Sequence, residues 1–118
     1  KADLILYNGY NLEPGIIKLV QTTGQRARKL AVGEIVKPLQ LEKEGNTVPD
    51  PHVWGDVKNV IAMTQAIRDE LIQLSPDDRA LFTQNADRLL ADLNQLDRWI
   101  QQQIQTIPPK QRRLVTTH

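Results

Sequence analysis

Residues 75 to 107 read SPDDRALFTQNADRLLADLNQLDRWIQQQIQTI. All six glycines and all seven prolines of the 118-residue chain lie outside positions 77 to 107. A run with neither helix breaker predicts one long helix. Ser75 is suited to cap it, Pro76 to take the first helical position, and Asp77 and Asp78 to set negative charge against the positive end of the helix dipole. Pro108-Pro109 marks its end. Phe82, Ala86, Leu89, Leu93, Leu96, Ile100, Ile104 and Ile107 recur at steps of three and four, about 3.6 on average. The stripe therefore stays on one face of a straight helix, without the drift that produces a coiled coil. At about 1.5 Å per residue the helix is roughly 45 Å long. That exceeds the width of a small domain, so something larger than this chain could lie along it.

Upstream, residues 2–7 (ADLILY) read as a continuous apolar strand of the kind buried on both faces of a parallel sheet, ended by Asn8-Gly9. Asn11 is placed to cap a short helix over residues 12–22, with Pro14 in its first turn, Ile16, Ile17, Leu19 and Val20 as packing residues and Gly24 as its stop. Residues 29–36 (KLAVGEIV) form a second apolar run. Strand, helix and strand make a βαβ unit, with a parallel pair and a right-handed crossover. Residues 37–51 (KPLQLEKEGNTVPDP) read as a loop, and Asp56 as the cap of a helix over residues 57–74, whose Val57, Val60, Ile61, Thr64, Ile67, Leu71 and Leu74 recur at helical spacing. Residues 113–117 (RLVTT) begin what reads as another buried strand, cut off at His118. Such a strand needs partners for its backbone groups, and the βαβ unit lies on the far side of the long helix. The expected fold is thus α/β, and the chain reads as a fragment cut from a larger two-lobed protein.

Composition narrows the function. The chain is 40% apolar and 25% charged, and 15 Lys and Arg against 14 Asp and Glu leave a formal charge of +1. That is a globular profile, without the clustered basic surplus of a nucleic-acid binder and with no run near the roughly 18 apolar residues of a membrane-spanning helix. Five aromatic residues leave the core to Leu, Ile and Val. With no cysteine, disulfides, thiolate metal sites and cysteine nucleophiles are excluded, so a metal site here must use His, Asp and Glu. The histidines are His52 and His118.

His52 lies in the phrase Asp50-Pro51-His52-Val53-Trp54, just ahead of a helix. Pro51 restricts the backbone, Trp54 can lie over the ring, and Asp50 is near enough to orient one ring nitrogen, which is how a neutral imidazole is held for a metal. The plainer reading is a loop histidine bonded to a helix end. His118 falls just past the C-terminal end of the last expected strand, the edge where open α/β sheets gather ligands; its plainer readings are an exposed terminal residue or the remnant of a tag. Motifs of enzymes are missing: there is no HExxH, no glycine-rich phosphate loop, no GxSxG. Glu13 reads as a first-turn dipole partner, Lys37, Lys43 and Lys58 are scattered, and Asp87, Arg88, Asp92 and Arg98 fall on or beside the polar face of the long helix. A hydrolytic metalloenzyme would need an open coordination position and a general base, and neither Asp50 nor Glu13 makes a convincing base.

Taken in order, ADLILYNGYNLE, DPHVW opening a helix, the QNADRLLADLNQLD core of the long helix and IPPKQRRLVTTH resemble the metal-binding lipoprotein family of bacterial ABC importers, the substrate-binding proteins for zinc and manganese that are sometimes described as adhesins. The resemblance covers nearly the whole chain and is carried most specifically by DPHVW together with the R-x-L-V-T-x-H ending. It implies an α/β protein of two lobes, each a parallel sheet wrapped by helices, joined by one long backbone helix with one Zn²⁺ or Mn²⁺ ion held between them. Residues 1–74 would be the latter part of the N-terminal lobe, 75–107 the linker helix and 108–118 the start of the C-terminal lobe. Of the family's four side-chain donors, His52 and His118 match two. A histidine earlier in the first lobe and an acidic residue late in the second have no counterpart here. Asp50 and Trp54 would support His52 from behind. Because Glu in place of His118 would resemble manganese-selective members, His118 leans toward zinc, or zinc and manganese both; against a dedicated zinc protein, the stretch LEKEGNTVP ahead of DPH is short and carries no histidine. Gly55 departs from the larger residue often found after the Trp. The family implies a periplasmic or cell-surface lipoprotein, no enzyme, whose partner is a membrane permease and whose only membrane contact is a lipid anchor outside this chain. A helix lacking Gly and Pro is a poor hinge, so lobe closure should be small. The alternative is a helical interaction module whose Phe82-to-Ile107 stripe docks a partner helix without metal.

Overall fold

The structure, a computed structural model, describes residues 2–23 and 25–115. Strand β1 (Leu4–Tyr7) pairs in parallel with β2 (Arg28–Ala31), from Leu4 opposite Arg28 to Tyr7 opposite Ala31. The ladder is extended at one end by the Arg28 N–H, which donates to Asp3 O at 3.0 Å. Parallel strands require a crossover, and helix α1 (Pro14–Thr23) supplies it. The βαβ unit read from the sequence is therefore present. Ile17 and Val20 of α1 are half-buried, while Ile16 and Leu19 remain exposed.

Several boundaries differ from the sequence reading, each for a local reason. Helix α1 starts at Pro14, with proline at its first residue. Asn11 does not cap it: residues 9, 10 and 11 have φ of +86°, +48° and +55°, whereas an N-cap needs an extended backbone. These residues instead reverse the chain, closed by the Leu12 N–H donating to Gly9 O at 3.1 Å. Gly24, expected to stop the helix, lies outside the described residues. The apolar run 29–36 is not one strand. After β2 it becomes a 3-10 turn over Val32–Ile35, because the Gly33 N–H leaves the ladder and donates to Asn8 O at 2.8 Å. A Cβ on Gly33 would lie 2.6 Å from that same oxygen. Nor is β1 buried on both faces, since among the described residues its sheet has two strands, and Leu6 is exposed.

The stretch expected to be a loop contains an antiparallel hairpin, β3 (Gln40–Lys43) with β4 (Asn46–Pro49). Leu41 opposes Val48, and both are half-buried. Glu44 (φ +52°) and Gly45 (φ +77°) make the two-residue turn, whose paired left-handed conformations match the right-handed twist of the strands. At its base the Asp50 N–H donates to Leu39 O at 2.8 Å.

Helix α2 (Val57–Leu74) has the bounds and the cap the sequence predicts: the Lys58 N–H donates to Asp56 Oδ1 at 2.9 Å. The long helix is α3 (Arg79–Gln105), about 40 Å at the standard rise. Its entry differs from expectation. Pro76–Asp78 form a 3-10 turn, and the Ser75 hydroxyl donates to Asp78 Oδ2 at 2.7 Å rather than accepting from a helical N–H. Ile67 and Leu71 of α2 face Phe82, Ala86 and Leu89 of α3 across a shallow crevice, and Ala86, small and buried, lets the helices approach. The buried apolar side chains among the described residues are Val32, Val53, Ile72 and Ala86, so the core follows α2. Arg28 on β2 ties the sheet to this helix through Glu70 at 2.8 Å and Gln73 at 2.7 Å.

A compact chain of this mass exposes about 6,500 Å², yet this one exposes 9144 Å² and measures 52 × 42 × 17 Å. The apolar stripe that runs along α3 to Ile107 contributes to this excess, with Leu89, Leu96, Ile104 and Ile107 all exposed. Past the helix, residues 113–115 are not strand, and Leu114 and Val115 are 88% and 96% exposed. The rest of that expected strand, with His118, lies outside the described residues.

Two glycine substitutions should act in opposite directions. Gly33→Ala forces its methyl into Asn8 O and costs about 1–3 kcal/mol, whereas Gly15→Ala, inside α1 with nothing within 4 Å of the new Cβ, adds about 0.5–1 kcal/mol. Urea unfolding midpoints of the two variants check this, and equal shifts would contradict it.

Candidate metal centre

His52 is carried on the connection from the hairpin to α2, at the entry of a 3-10 turn over Val53–Gly55. Its conformation is set from three sides. From behind, Asp50 Oδ1 accepts the His52 backbone N–H at 3.0 Å and lies 2.8 Å from Nδ1 of the ring. One carboxylate oxygen thus closes a local turn and fixes the imidazole at once. An ionised carboxylate can only accept, so Nδ1 carries the proton in this contact and the lone pair of the neutral ring falls on Nε2. From the sheet, Asn8 at the end of β1 donates through Nδ2 to Pro51 O at 2.9 Å. That oxygen also accepts the Val53 N–H at 3.0 Å. From the helix, Asn59 Nδ2 donates to Val53 O at 2.9 Å, and the Val53 side chain is buried. Trp54 lies against the ring, 5.3 Å between centroids and tilted by 59°.

The ring stands between two clefts. One, of about 390 Å³, is lined by Lys37, Leu39, Asp50, Asp56 and Asn59 beside His52; the other, of about 650 Å³, by Tyr10, Asn11, Leu41 and Pro51. The His52 side chain is 38% exposed. Among the described residues no group of three or more His, Cys, Asp or Glu could hold a metal ion. The donor set present is one imidazole with an orienting carboxylate, the arrangement found behind metal-bound histidines, and it is less than a complete coordination shell.

Of the residues singled out from the sequence, the structure brings together Asp50, His52 and Trp54 in the relation expected of them. His118 lies outside the described residues. Glu13 is exposed ahead of α1, and Asp87, Arg88, Asp92 and Arg98 are all exposed on α3. Sequence reasoning missed Asn8, read only as the end of a strand. Its one visible signal was an amide side chain at the C-terminal end of a parallel strand, where sites in such sheets gather.

Comparison with known proteins gives a consistent picture. All of residues 1–118 match the family described as "Zinc-uptake complex component A periplasmic". The manganese-binding lipoprotein MntA of Halalkalibacterium halodurans is 38% identical over 97% of this chain and 37% of its own length. The zinc-binding protein TroA of Treponema pallidum is 33% identical over 99% of this chain and 38% of its own. In three dimensions, the periplasmic zinc-binding protein TroA of Treponema pallidum superposes over 91% of this chain with a TM-score of 0.77. A manganese-bound periplasmic metal-binding protein of Candidatus Liberibacter asiaticus, 24% identical, shares the fold with a TM-score of 0.82 over 94% of the chain. The chain spans about two fifths of the length of these relatives. With every residue inside the match, the chain belongs to the periplasmic zinc-uptake component A family.

Proposed function

We propose that this chain is part of an extracytoplasmic substrate-binding protein that captures one divalent transition metal ion, zinc or manganese, and delivers it to the permease of an ABC-type importer. The observation that carries the reading is the clamp on His52: Asp50 on Nδ1, with the backbone held from β1 and α2. A histidine whose only role is to end a helix needs no such fixation, while a metal ligand does. Relatives named for manganese binding and for zinc binding both exceed 30% identity across nearly the whole chain, which supports either ion as cargo. Nothing in the arrangement calls for catalysis: the ion is the substrate, held and released unchanged.

On this reading His52 is one ligand, meeting the ion through Nε2, and His118 is a second. The remaining two donors come from parts of the protein outside these residues. Residues 1–74 are the latter part of the N-terminal lobe, residues 75–107 the linker, and residues 108–118 the entry into the C-terminal lobe. The exposed stripe of α3 is where the lobes would rest against it. Imidazole and carboxylate donors suit Zn²⁺ and also accept Mn²⁺, with His118 favouring zinc. The proposed location is the periplasm or cell surface, with a lipid anchor elsewhere in the protein.

The same exposed stripe favours a second reading, a helical interaction module without metal. It requires self-association that EDTA leaves unchanged.

In the intact protein, His52→Ala and His118→Ala should each weaken metal binding by orders of magnitude. Competition calorimetry giving wild-type affinity for both would refute the ligand assignment. The 118-residue chain by itself should bind Zn²⁺ weakly, since binding energy depends on a completed, preorganised site. Nanomolar, stoichiometric binding by its monomer would contradict the half-site.

A further inference from the structure

The residue that joins the sheet to the candidate ligand is Asn8. It follows β1 directly and is half-buried. Its main-chain oxygen accepts the Gly33 N–H at 2.8 Å. Gly33 is held so closely against Asn8 that an added Cβ would sit 2.6 Å from Asn8 O and 3.0 Å from Asn8 Oδ1. The Asn8 side chain is therefore backed by main chain and has little rotational freedom. Its Nδ2 donates forward to Pro51 O at 2.9 Å and sideways to Gly9 O at 3.2 Å.

Pro51 O belongs to the peptide that ends in the His52 nitrogen. A peptide unit is planar, so fixing its oxygen also fixes the direction of its N–H, and that N–H is the one Asp50 Oδ1 accepts at 3.0 Å. With the Val53 N–H on the same oxygen at 3.0 Å, the plane carrying the His52 Cα is pinned at both ends. Asp50 then sets the rotation of the ring, and Asn8 sets where the ring starts from. The requirement is specific to a donor at this point. A carboxylate of the same shape would set an acceptor against the Pro51 carbonyl, and a shorter side chain would leave a gap.

We propose that Asn8 is a positioning residue for metal capture: across 43 residues of sequence it ties the Pro51–His52 peptide to the end of the parallel sheet and so fixes the direction in which the His52 imidazole meets the ion. The proposal rests on His52 being a ligand.

The test uses the intact protein with Asn8→Ala, Asn8→Asp and, as reference, His52→Ala. Three quantities are read: Zn²⁺ affinity by competition calorimetry, the d–d absorption bands of the Co²⁺-loaded protein, and thermal unfolding of the metal-free protein. Asn8→Ala should weaken Zn²⁺ binding by about 10–100-fold, the usual effect of losing a residue behind a metal ligand, and should shift the Co²⁺ bands while the metal-free protein still unfolds cooperatively. Asn8→Asp, matched in shape but lacking the donor, should do at least as much; where Asn8→Ala fails to fold, it decides the matter by the same readings. If His52→Ala abolishes binding while both Asn8 variants keep the wild-type affinity and Co²⁺ spectrum, the role of Asn8 is overturned and the ligand stands. Lower affinity with an unshifted spectrum and a parallel loss of melting temperature would reduce Asn8 to a stabilising contact, also overturning it. Unchanged affinity in His52→Ala would remove the ligand assignment itself, and the positioning role with it.

Discussion

The arrangement depends on the close approach of Asn8 and Gly33. The main-chain bond between them ends the parallel ladder at Tyr7 and Ala31, and the lack of a side chain at Gly33 is what allows it. From that junction the chain after β2 tightens into a 3-10 turn, which buries Val32 against α2. The chain after β1 reverses through left-handed residues, a conformation that Tyr10 and Asn11 adopt at some cost. Tyr10 is held there by its hydroxyl, which donates to Val36 O at 2.9 Å, and by Glu34 Oε1, which accepts its backbone N–H at 2.8 Å. Strain in one segment is thus offset by hydrogen bonds to the next.

What could be read from the sequence was whatever local signals decide. Helix α2 was legible to the residue because Asp56 caps it and the apolar spacing runs unbroken to Leu74. The long helix was legible from the absence of Gly and Pro, although its first turn was not: Ser75 has a choice of partners, and the Asp78 carboxylate won over the backbone. The parallel pairing followed from two apolar runs with a helix between them. The end of β2 was hidden because KLAVGEIV has strand composition throughout, and the break comes from a tertiary contact with Asn8 that no window of sequence contains. The hairpin was hidden because its turn is Glu44-Gly45 rather than the commoner Asn-Gly, and its strands carry a single apolar pair, Leu41 with Val48.

The candidate site divides along the same line. DPHVW pointed to His52, Asp50 and Trp54, since residues two apart in a short constrained loop are near enough for their side chains to meet, as they do here. Asn8 could not be found this way, because only the fold brings it to Pro51. On the proposed reading, a ligand held this firmly has a thermodynamic logic. A protein that captures an ion and then gives it up cannot draw affinity from large rearrangement of each donor, because ordering costs paid at binding would slow loading and weaken it. A donor already held in place loses little freedom when the ion arrives, so more of the coordination energy remains as affinity.

The hairpin has a further consequence. Its base is closed by the Asp50 N–H on Leu39 O, immediately before the carboxylate that orients His52, while its Glu44-Gly45 tip is exposed. Residues added at the tip would lengthen only the turn beyond the Lys43–Asn46 pair and leave that base bond in place. Their entropic cost grows only with the logarithm of length, about 0.6 kcal/mol for each doubling of a flexible loop. The tip is therefore a place where an insertion can add new side chains without altering how the His52 ring is held.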